Sequence, residues 1–155
     1  MRVLLKLRLD CEPDTVWDKL HDPSVFAQVM APLMTAQSKE VGGFPPRWLP
    51  GEHVIALKLF GLIPVGRQSV RLSERNGTAS GIRVLRDTGI GLSGPLAMMT
   101  GWDHRMALSE TSDGRTLYRD QLRVRAGWLT PLAWPGLWLF WQWRGRQLRR
   151  FASDW

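Results

Sequence analysis

The first ten residues alternate between apolar and polar side chains. The odd positions from Val3 to Cys11 are apolar, whereas the even positions are mostly charged, with Leu4 as the exception. A period of two residues is typical of a β-strand with one buried face. We therefore predict a first strand that buries its odd positions.

Two short helices are predicted after this strand. In "EPDTVWDKLHDP", Pro13 suits the first turn of a helix and Pro23 ends it. The apolar stripe between them consists of Val16, Trp17 and Leu20. The next segment, "SVFAQVMAPL", predicts a second helix that begins at Ser24 and closes before Pro32.

From Leu33 onward the pattern is that of an antiparallel meander. Alternation and turn residues predict strands near residues 33–41, 52–60, 65–74, 79–88, 101–110 and 115–127. Asn76-Gly77 is a dipeptide typical of hairpin turns, and we expect the chain to turn there. The segments "GGFPPRWLPG" and "GIGLSGPLAMM" are rich in glycine and proline, so we predict loops.

The C-terminal segment "GWLTPLAWPGLWLFWQWRGRQLRRF" is rich in tryptophan and ends in a cluster of arginines. An advance of 100° per residue predicts an amphipathic helix from about Trp134 to Ala152. Its inward face would hold Trp134, Leu137, Trp138, Trp141, Gly145, Leu148 and Ala152. A transmembrane span needs about 20 apolar residues, and the prolines and arginines leave fewer. We therefore predict that this helix packs inside the protein.

The order of elements indicates the fold class. One strand, two short helices, about six further strands and a long C-terminal helix are typical of an α+β protein with an antiparallel sheet. A large curved sheet needs a cover for its concave face, and the C-terminal helix is the segment long enough to provide one. We expect a single domain over residues 1–155.

The composition is strongly basic. The formal net charge is +7 and the isoelectric point is about 10.7, which favours anionic partners in general. Cys11 is the one cysteine and cannot form an intramolecular disulfide. Lys6 and Arg8 interrupt the N-terminal apolar run, unlike the core of a secretory signal. We therefore expect a cytoplasmic protein.

Familiar catalytic and cofactor motifs are absent from the sequence. It contains no P-loop, no dinucleotide-binding glycine pattern, no GxSxG and no HExxH. Three dispersed histidines and one cysteine do not make a recognisable set of metal ligands. We predict neither a cofactor nor a metal. His21 is expected to end a helix, and His53 to be an ordinary residue at the start of a strand.

Candidate chemistry gathers in the last predicted hairpin. Alternation places His104 and Met106 on the inward face of one strand, and Tyr118 and Asp120 on the inward face of its partner. A short loop with Gly114 in the left-handed conformation keeps both sets on the same side. In this register Met106 opposes Asp120, and His104 lies diagonal to Asp120 within side-chain reach.

An inward aspartate is costly unless it is paired or hydrogen-bonded. We therefore expect a buried polar cluster formed by His104 and Asp120, to which Tyr118 can contribute. Three roles remain open for this cluster: a structural tie between two strands, an orienting group for a ligand, or an acid–base pair.

Four segments, in this order and spacing, resemble the START-like SRPBCC superfamily. They are "PDTVWDKLHDP" at 13–23, "WDHRM" at 102–106, "TLYRDQLRVRAG" at 116–127 and "FWQWRGRQLRRF" at 140–151. The superfamily includes birch-pollen-allergen relatives, polyketide cyclase/dehydrase-like proteins and coenzyme Q-binding proteins. The resemblance implies a helix-grip fold, in which a seven-stranded sheet wraps the C-terminal helix around a deep cavity for a lipid-like or polycyclic ligand. Many members carry a second histidine where this chain has Met106, which argues against an activity that needs a histidine pair.

Three functions remain open on the sequence. The first is the binding of a hydrophobic small molecule, with the two glycine- and proline-rich loops as gates. The second is a cyclase or dehydratase that uses His104 and Asp120 as acid–base groups. The third is docking on a membrane or a partner protein. The residues expected to contact a ligand are Ile55, Leu57, Trp102, His104, Met106, Tyr118, Asp120, Leu122, Trp138 and Trp141.

Two predicted surfaces bear on the third function. Basic side chains fall on the outward faces of the first and last strands, which the resemblance makes neighbours; they are Arg2, Lys6, Arg8, Arg119, Arg123 and Arg125. An acidic membrane surface suits them better than nucleic acid, because no base-stacking aromatics lie among them; a simple solvated face is the alternative. Leu139 and Trp143 fall on the outer side of the C-terminal helix, where they would form a ridge for a second copy of the chain or a membrane.

Overall fold

The computed structural model describes residues 1–77 and 81–155. Its strands are β1 (Arg2–Leu9), β2 (Met34–Ser38), β3 (Gly51–Leu59), β4 (Ile63–Gly77), β5 (Ile82–Asp87), β6 (Gly101–Glu110) and β7 (Thr116–Arg125). Its α-helices are α1 (Pro13–Leu20), α2 (Pro23–Met30) and α3 (Thr130–Ala152), and a short 3₁₀ helix spans Gly94–Met98.

The described strands form one open antiparallel sheet in the order β1-β7-β6-β5-β4-β3-β2. The chain therefore runs along the sheet as a meander from β2 to β7, and β1 adds to the far side of β7. Two short helices lie between the first two strands, and α3 ends the fold. The predicted α+β class, with seven strands and a long C-terminal helix, is confirmed.

The first strand follows its sequence pattern. Val3, Leu7 and Leu9 are buried, and Leu5 is half-buried. The exception, Leu4, faces outward and is 54% exposed. The alternation thus separates an apolar concave face from a polar convex face along β1.

The two short helices begin at prolines. Pro13 opens α1, where its missing N–H costs little, and Pro23 opens α2 in the same way. The side chain of Asp22 accepts a hydrogen bond from the backbone N–H of Ser24 at 2.7 Å. Asp22 is therefore the cap of α2, and the prediction that Ser24 begins this helix was wrong by one residue.

One turn was misplaced along the sequence. Asn76 and Gly77 belong to the backbone of β4, where they pair with Arg83 and Ile82. Four residues, 78–81, separate β4 from β5, and 78–80 lie outside the described residues. The pairing of β4 with β5 thus continues through Asn76 and Gly77, where the sequence predicted a turn.

The long helix α3 packs on the concave side of the sheet through a glycine. A Cβ added to Gly145 would lie 3.1 Å from Cδ1 of Leu5 and 3.6 Å from Cδ1 of Leu7. The absence of a side chain thus permits close approach of α3 to β1, which accounts for a glycine inside the apolar stripe. The helix also begins four residues earlier than Trp134, with Pro131 in its first turn.

The inward face of α3 is narrower than its sequence indicates. Trp141, Gly145, Leu148 and Ala152 are buried, whereas Trp138 is 41% exposed. Trp138 lies about 60° around the helix from Trp141, in the half of α3 where fewer residues are buried. The prediction that Trp138 faces inward was therefore wrong.

Candidate functional site

The concave face of the sheet, α2 and α3 enclose a cavity of about 490 Å³. Its walls are mostly apolar and include Val29 and Met30 from α2 and Leu148 from α3. Phe60 and Leu139 also line it, although they are 56% and 61% exposed. These two side chains therefore mark where the cavity opens to the surface. The volume lies within the range of small-molecule sites in proteins.

Most of the residues expected to contact a ligand line this cavity. They are Ile55, Leu57, Trp102, His104, Met106, Tyr118, Asp120 and Trp141. Two do not. Leu122 is fully buried, but it packs with Val3, Val124 and Trp141 in a separate small cluster. Trp138 does not line the cavity, because it lies about 60° around α3 from Trp141.

The expected polar cluster is present on the cavity wall. Met106 opposes Asp120 in the β6–β7 register, as the alternation predicts. Nε2 of His104 lies 2.8 Å from Oδ1 of Asp120, and the hydroxyl of Tyr118 donates to Oδ2 at 2.8 Å. The indole N–H of Trp141 also donates to Oδ1, at 2.9 Å. Asp120 is thus the centre of a network that joins β6, β7 and α3.

The charge of Asp120 is stabilised by its neighbours. Burial alone would raise the pKa of Asp120, but the charge and hydrogen bond of His104, together with Arg144 and Trp141, outweigh burial and lower the pKa to about 2. Burial and the adjacent Asp120 carboxylate raise the pKa of Tyr118 well above its usual value. Asp120 is therefore ionised and Tyr118 neutral at neutral pH.

The ionised carboxylate fixes the proton on His104. A carboxylate only accepts hydrogen bonds, so Nε2 of His104 must be the donor to Asp120. Nδ1 then carries a lone pair in the neutral imidazole and a proton in the imidazolium. Nδ1 forms no hydrogen bond within the part of the chain that the structure describes. His104 lines the cavity, so this nitrogen is the group of the cluster best placed to meet a ligand.

Arg144 joins the cluster from α3. Its Nη1 lies 3.8 Å from Oδ2 of Asp120, and its guanidinium lies 4.9 Å from the ring centroid of Trp141. Nε of Arg144 is buried and has no hydrogen-bond partner among residues 1–77 and 81–155. The sequence prediction omitted Arg144, although its spacing from Trp141 and Leu148 places it on the same side of the helix.

A second buried carboxylate stands beside the cluster. Oδ1 of Asp87 accepts from the backbone N–H groups of Arg71 and Gly89, both at 2.9 Å, and Oδ2 accepts from the indole of Trp102 at 2.9 Å. Burial raises the pKa of Asp87 despite these bonds. The sequence prediction missed Asp87, yet it alternates with the buried Leu85 on β5 and could have been found in this way.

Gln68 on β4 is a third polar residue missed by the prediction. It is 6% exposed and lines the cavity. Its side-chain amide forms no hydrogen bond with any residue the structure describes. Gln68 alternates with Val70 and Leu72 on the inward face of β4, which is the signal that could have revealed it.

The two loops predicted as gates both reach the cavity. Trp48, in the first loop, is 4% exposed, lines the cavity and packs edge-on against Phe26 and Phe44. Leu96 and Met99, in the second loop, also line it. Whether these loops admit a ligand stays a prediction.

The structure does not place Leu139 and Trp143 together on an exposed ridge of α3, as the sequence predicted. The indole N–H of Trp143 donates to the backbone oxygen of Ala31 at 2.9 Å, so this side chain packs against the end of α2. Leu139 is exposed but borders the cavity opening. Trp143 was misassigned because helical periodicity does not show that α2 covers that side of α3.

The other two histidines lie away from the cavity. Nδ1 of His21 lies 2.7 Å from the backbone oxygen of Trp17, and this histidine ends α1 as expected. Nδ1 of His53 lies 2.9 Å from Oε1 of Glu40. Within the described ranges, no group of three histidine, cysteine or acidic side chains could hold a metal ion. No helix among the described residues has both the length and the apolar character to cross a membrane.

Fold and site together define a class: an α+β protein whose curved antiparallel sheet grips a C-terminal helix over an internal apolar cavity. The chain belongs to the family described as domain of unknown function DUF8410, whose model matches residues 7–152. No curated protein shows significant similarity to the sequence.

Solved structures with the same fold come from several bacteria. Protein CV1439 of Chromobacterium violaceum has a TM-score of 0.68 at 16% identity, with 97% of this chain and 96% of that chain covered. The hypothetical protein jhp0584 of Helicobacter pylori has a TM-score of 0.66 at 14% identity, covering 98% and 88%. Protein MLL2253 of Mesorhizobium loti has a TM-score of 0.65 at 11% identity, covering 99% and 97%. At these identities the similarity concerns the fold.

Proposed function

We propose that the protein binds a mostly apolar small molecule inside the cavity between the sheet and α3. The observation that carries this proposal is an apolar cavity of about 490 Å³ with one polar cluster on its wall. Apolar walls with a few convergent polar groups are typical of small-molecule sites. The sequence resemblance to the START-like SRPBCC superfamily supports a lipid-like or polycyclic ligand.

The polar end of the ligand is expected at His104. His104 and Gln68 both line the cavity, and neither Nδ1 of His104 nor the amide of Gln68 forms a hydrogen bond within the described chain. Leaving buried polar groups unpaired is costly. A ligand hydroxyl would both donate and accept there. The rest of the ligand would contact the aliphatic wall, where the burial of apolar surface contributes about 25 cal/mol per Å².

A matched pair of substitutions tests the binding site. Leu57→Trp adds bulk to the cavity wall, whereas Leu4→Trp makes the same change on the exposed face of β1. The probe is N-phenyl-1-naphthylamine, an uncharged fluorophore that brightens in apolar surroundings. We expect one probe to bind per chain in the wild type and in Leu4→Trp, and binding to be lost in Leu57→Trp. Equal binding by all three proteins would place the probe elsewhere and contradict the proposal.

A second experiment tests the polar end. Naphthalene and 2-naphthol differ by one hydroxyl and can each compete with the fluorescent probe. His104→Phe should weaken the competition by 2-naphthol by about tenfold, the equivalent of one hydrogen bond. Competition by naphthalene should stay the same. A variant that weakens both competitors equally would show that His104 shapes the cavity without contacting a polar group.

A second candidate function is acid–base catalysis. The observation that favours it is the 2.8 Å contact between Nε2 of His104 and Asp120 on a cavity wall, with Nδ1 left to exchange a proton. In a dehydration, Nδ1 would remove the α-proton of a β-hydroxy ketone and return it to the departing hydroxyl. Asp120 would orient the imidazole. Mass spectrometry of a hydrophobic β-hydroxy ketone should then show loss of water with the wild type and none with His104→Gln.

A further inference from the structure

The convex side of β1 and β7 gathers six basic side chains, which we call the basic face: Arg2, Lys6, Arg8, Arg119, Arg123 and Arg125. All six are exposed. In the register of the two strands, Arg2 stands directly opposite Arg123 and Lys6 directly opposite Arg119. Like charges in directly opposite positions destabilise a sheet. The fold therefore keeps two repulsive cross-strand pairs at its edge.

The carboxylates nearby do little to neutralise the basic face. Arg8 pairs with Asp113 at the tip of the β6–β7 hairpin. Asp103 stands opposite Arg123 in the β6–β7 register, but it binds Arg86 at 2.7 Å and Arg105 at 2.9 Å. Arg8 is the member of the basic face that forms an ion pair within the described ranges. Unneutralised charge on one face raises the local concentration of anions and attracts an anionic surface.

Apolar side chains accompany these cations. Leu4 lies between Arg2 and Lys6 on β1 and is 54% exposed. Trp128 follows Arg125, the last residue of β7, by three residues and is 86% exposed. A polyanion without an apolar layer would give Leu4 nothing to contact. A bilayer offers phosphates to cations and an interface in which tryptophan and leucine are favoured.

We propose that the basic face docks the protein on the surface of an anionic phospholipid bilayer. The cations contact headgroup phosphates, and Leu4 and Trp128 enter the interface. This docking surface is formed by the convex side of the sheet, whereas the ligand cavity lies on the concave side. The proposal therefore stands independently of what the cavity binds.

Vesicle sedimentation with the full chain tests this proposal. We expect the protein to sediment with vesicles of equal parts phosphatidylcholine and phosphatidylglycerol, and to remain in solution with pure phosphatidylcholine. Raising the salt from about 0.1 M to about 0.5 M should release it, because the Debye length shortens. Equal sedimentation with both kinds of vesicle, or binding that salt does not change, would overturn the proposal.

Two double variants locate the docking surface. Each basic residue at an anionic surface contributes about fivefold to partitioning, so Arg119→Gln with Arg123→Gln should weaken sedimentation about 25-fold. The control, Arg149→Gln with Arg150→Gln, removes the same charge from exposed positions of α3 and should change it less than about twofold. Equal losses in both variants would show an effect of net charge alone and overturn the assignment.

Two further measurements complete the test. Trp128→Ala should weaken sedimentation several-fold and leave its dependence on salt unchanged; an unchanged affinity would remove Trp128 from the docking surface and contradict the proposal. Single- and double-stranded oligonucleotides titrated by fluorescence anisotropy provide the alternative polyanion. Tight binding to an oligonucleotide without binding to anionic vesicles would assign the basic face to nucleic acid and overturn the proposal.

Discussion

Replacement of Asp120 by asparagine removes the charge at the centre of the polar cluster while keeping the shape of the side chain. Asp120 is 3% exposed, accepts hydrogen bonds from His104, Tyr118 and Trp141, and faces Arg144. Removal of one partner from a buried ionic group costs about 3–5 kcal/mol, because the remaining charge loses its compensation. We expect Asp120→Asn to destabilise the protein by this amount near neutral pH.

The pH dependence of this loss follows from the pKa of Asp120. The pKa is lowered from 3.8 to about 2 in the folded protein, so the ionised group stabilises the fold above the unfolded pKa. That stabilisation disappears as the pH falls through the folded value. The lowered pKa of Asp120 corresponds to a stabilisation of about 2 kcal/mol near pH 6, of which about 1 kcal/mol is lost by pH 3. The difference between wild type and Asp120→Asn should shrink by that amount.

Urea unfolding of both proteins at pH 6 and pH 3 measures this change. The comparison cancels carboxylates that titrate in both proteins, since the difference in free energy of unfolding is taken at each pH. Asp18→Asn, on the exposed side of α1, controls for the amide itself and should differ from the wild type by less than about 0.5 kcal/mol. A difference that stays constant between the two pH values would refute the assignment of an ionised, stabilising Asp120.

Four other substitutions have defined outcomes. Asp87 has a raised pKa, so its contribution to stability is present at low pH and lost as the pH rises through the raised value. The melting temperature of Asp87→Asn should therefore rise relative to that of the wild type between about pH 4 and neutral pH. Gly66 has φ of +131° and a Cβ there would lie 1.9 Å from a backbone oxygen, so Gly66→Ala should lose at least about 2 kcal/mol in urea unfolding. Gly136→Ala, in an open helical position, should instead gain about 0.5–1 kcal/mol, and a similar loss in both variants would contradict the steric argument. Trp143→Phe should lose about 1 kcal/mol, since its hydrogen bond to Ala31 disappears, and an unchanged stability would show that this bond contributes nothing.

The sheet and the core of the polar cluster could be predicted because both depend on a short-range pattern. Alternation identifies which side of a strand is buried, and a hairpin loop sets the register between consecutive strands. These two rules were enough to place Met106 opposite Asp120 and His104 within reach of it. A misplaced turn at Asn76 did not affect this hairpin, because its register is set locally.

The remaining differences arise where the outcome depends on contacts between distant segments. Helical periodicity gives the angle of Trp138 and Trp143 around α3, but not which neighbours cover that angle. Trp143 is covered by the end of α2, whereas Trp138 is left partly exposed. Leu122 faces the concave side as alternation predicts, yet it does not line the cavity, because it is covered by Trp141 and its neighbours in the small cluster. Trp48 lies in a loop without periodicity, so no pattern could place it on the cavity wall.

The most direct test of the proposed function is native mass spectrometry of the wild type and Leu57→Trp after incubation with a total bacterial lipid extract. The account predicts a one-to-one complex with the wild type that is absent from Leu57→Trp, because the tryptophan occupies the space of the ligand. Wild-type protein that stays at its bare mass, or the same adducts on both proteins, would contradict ligand binding in the cavity.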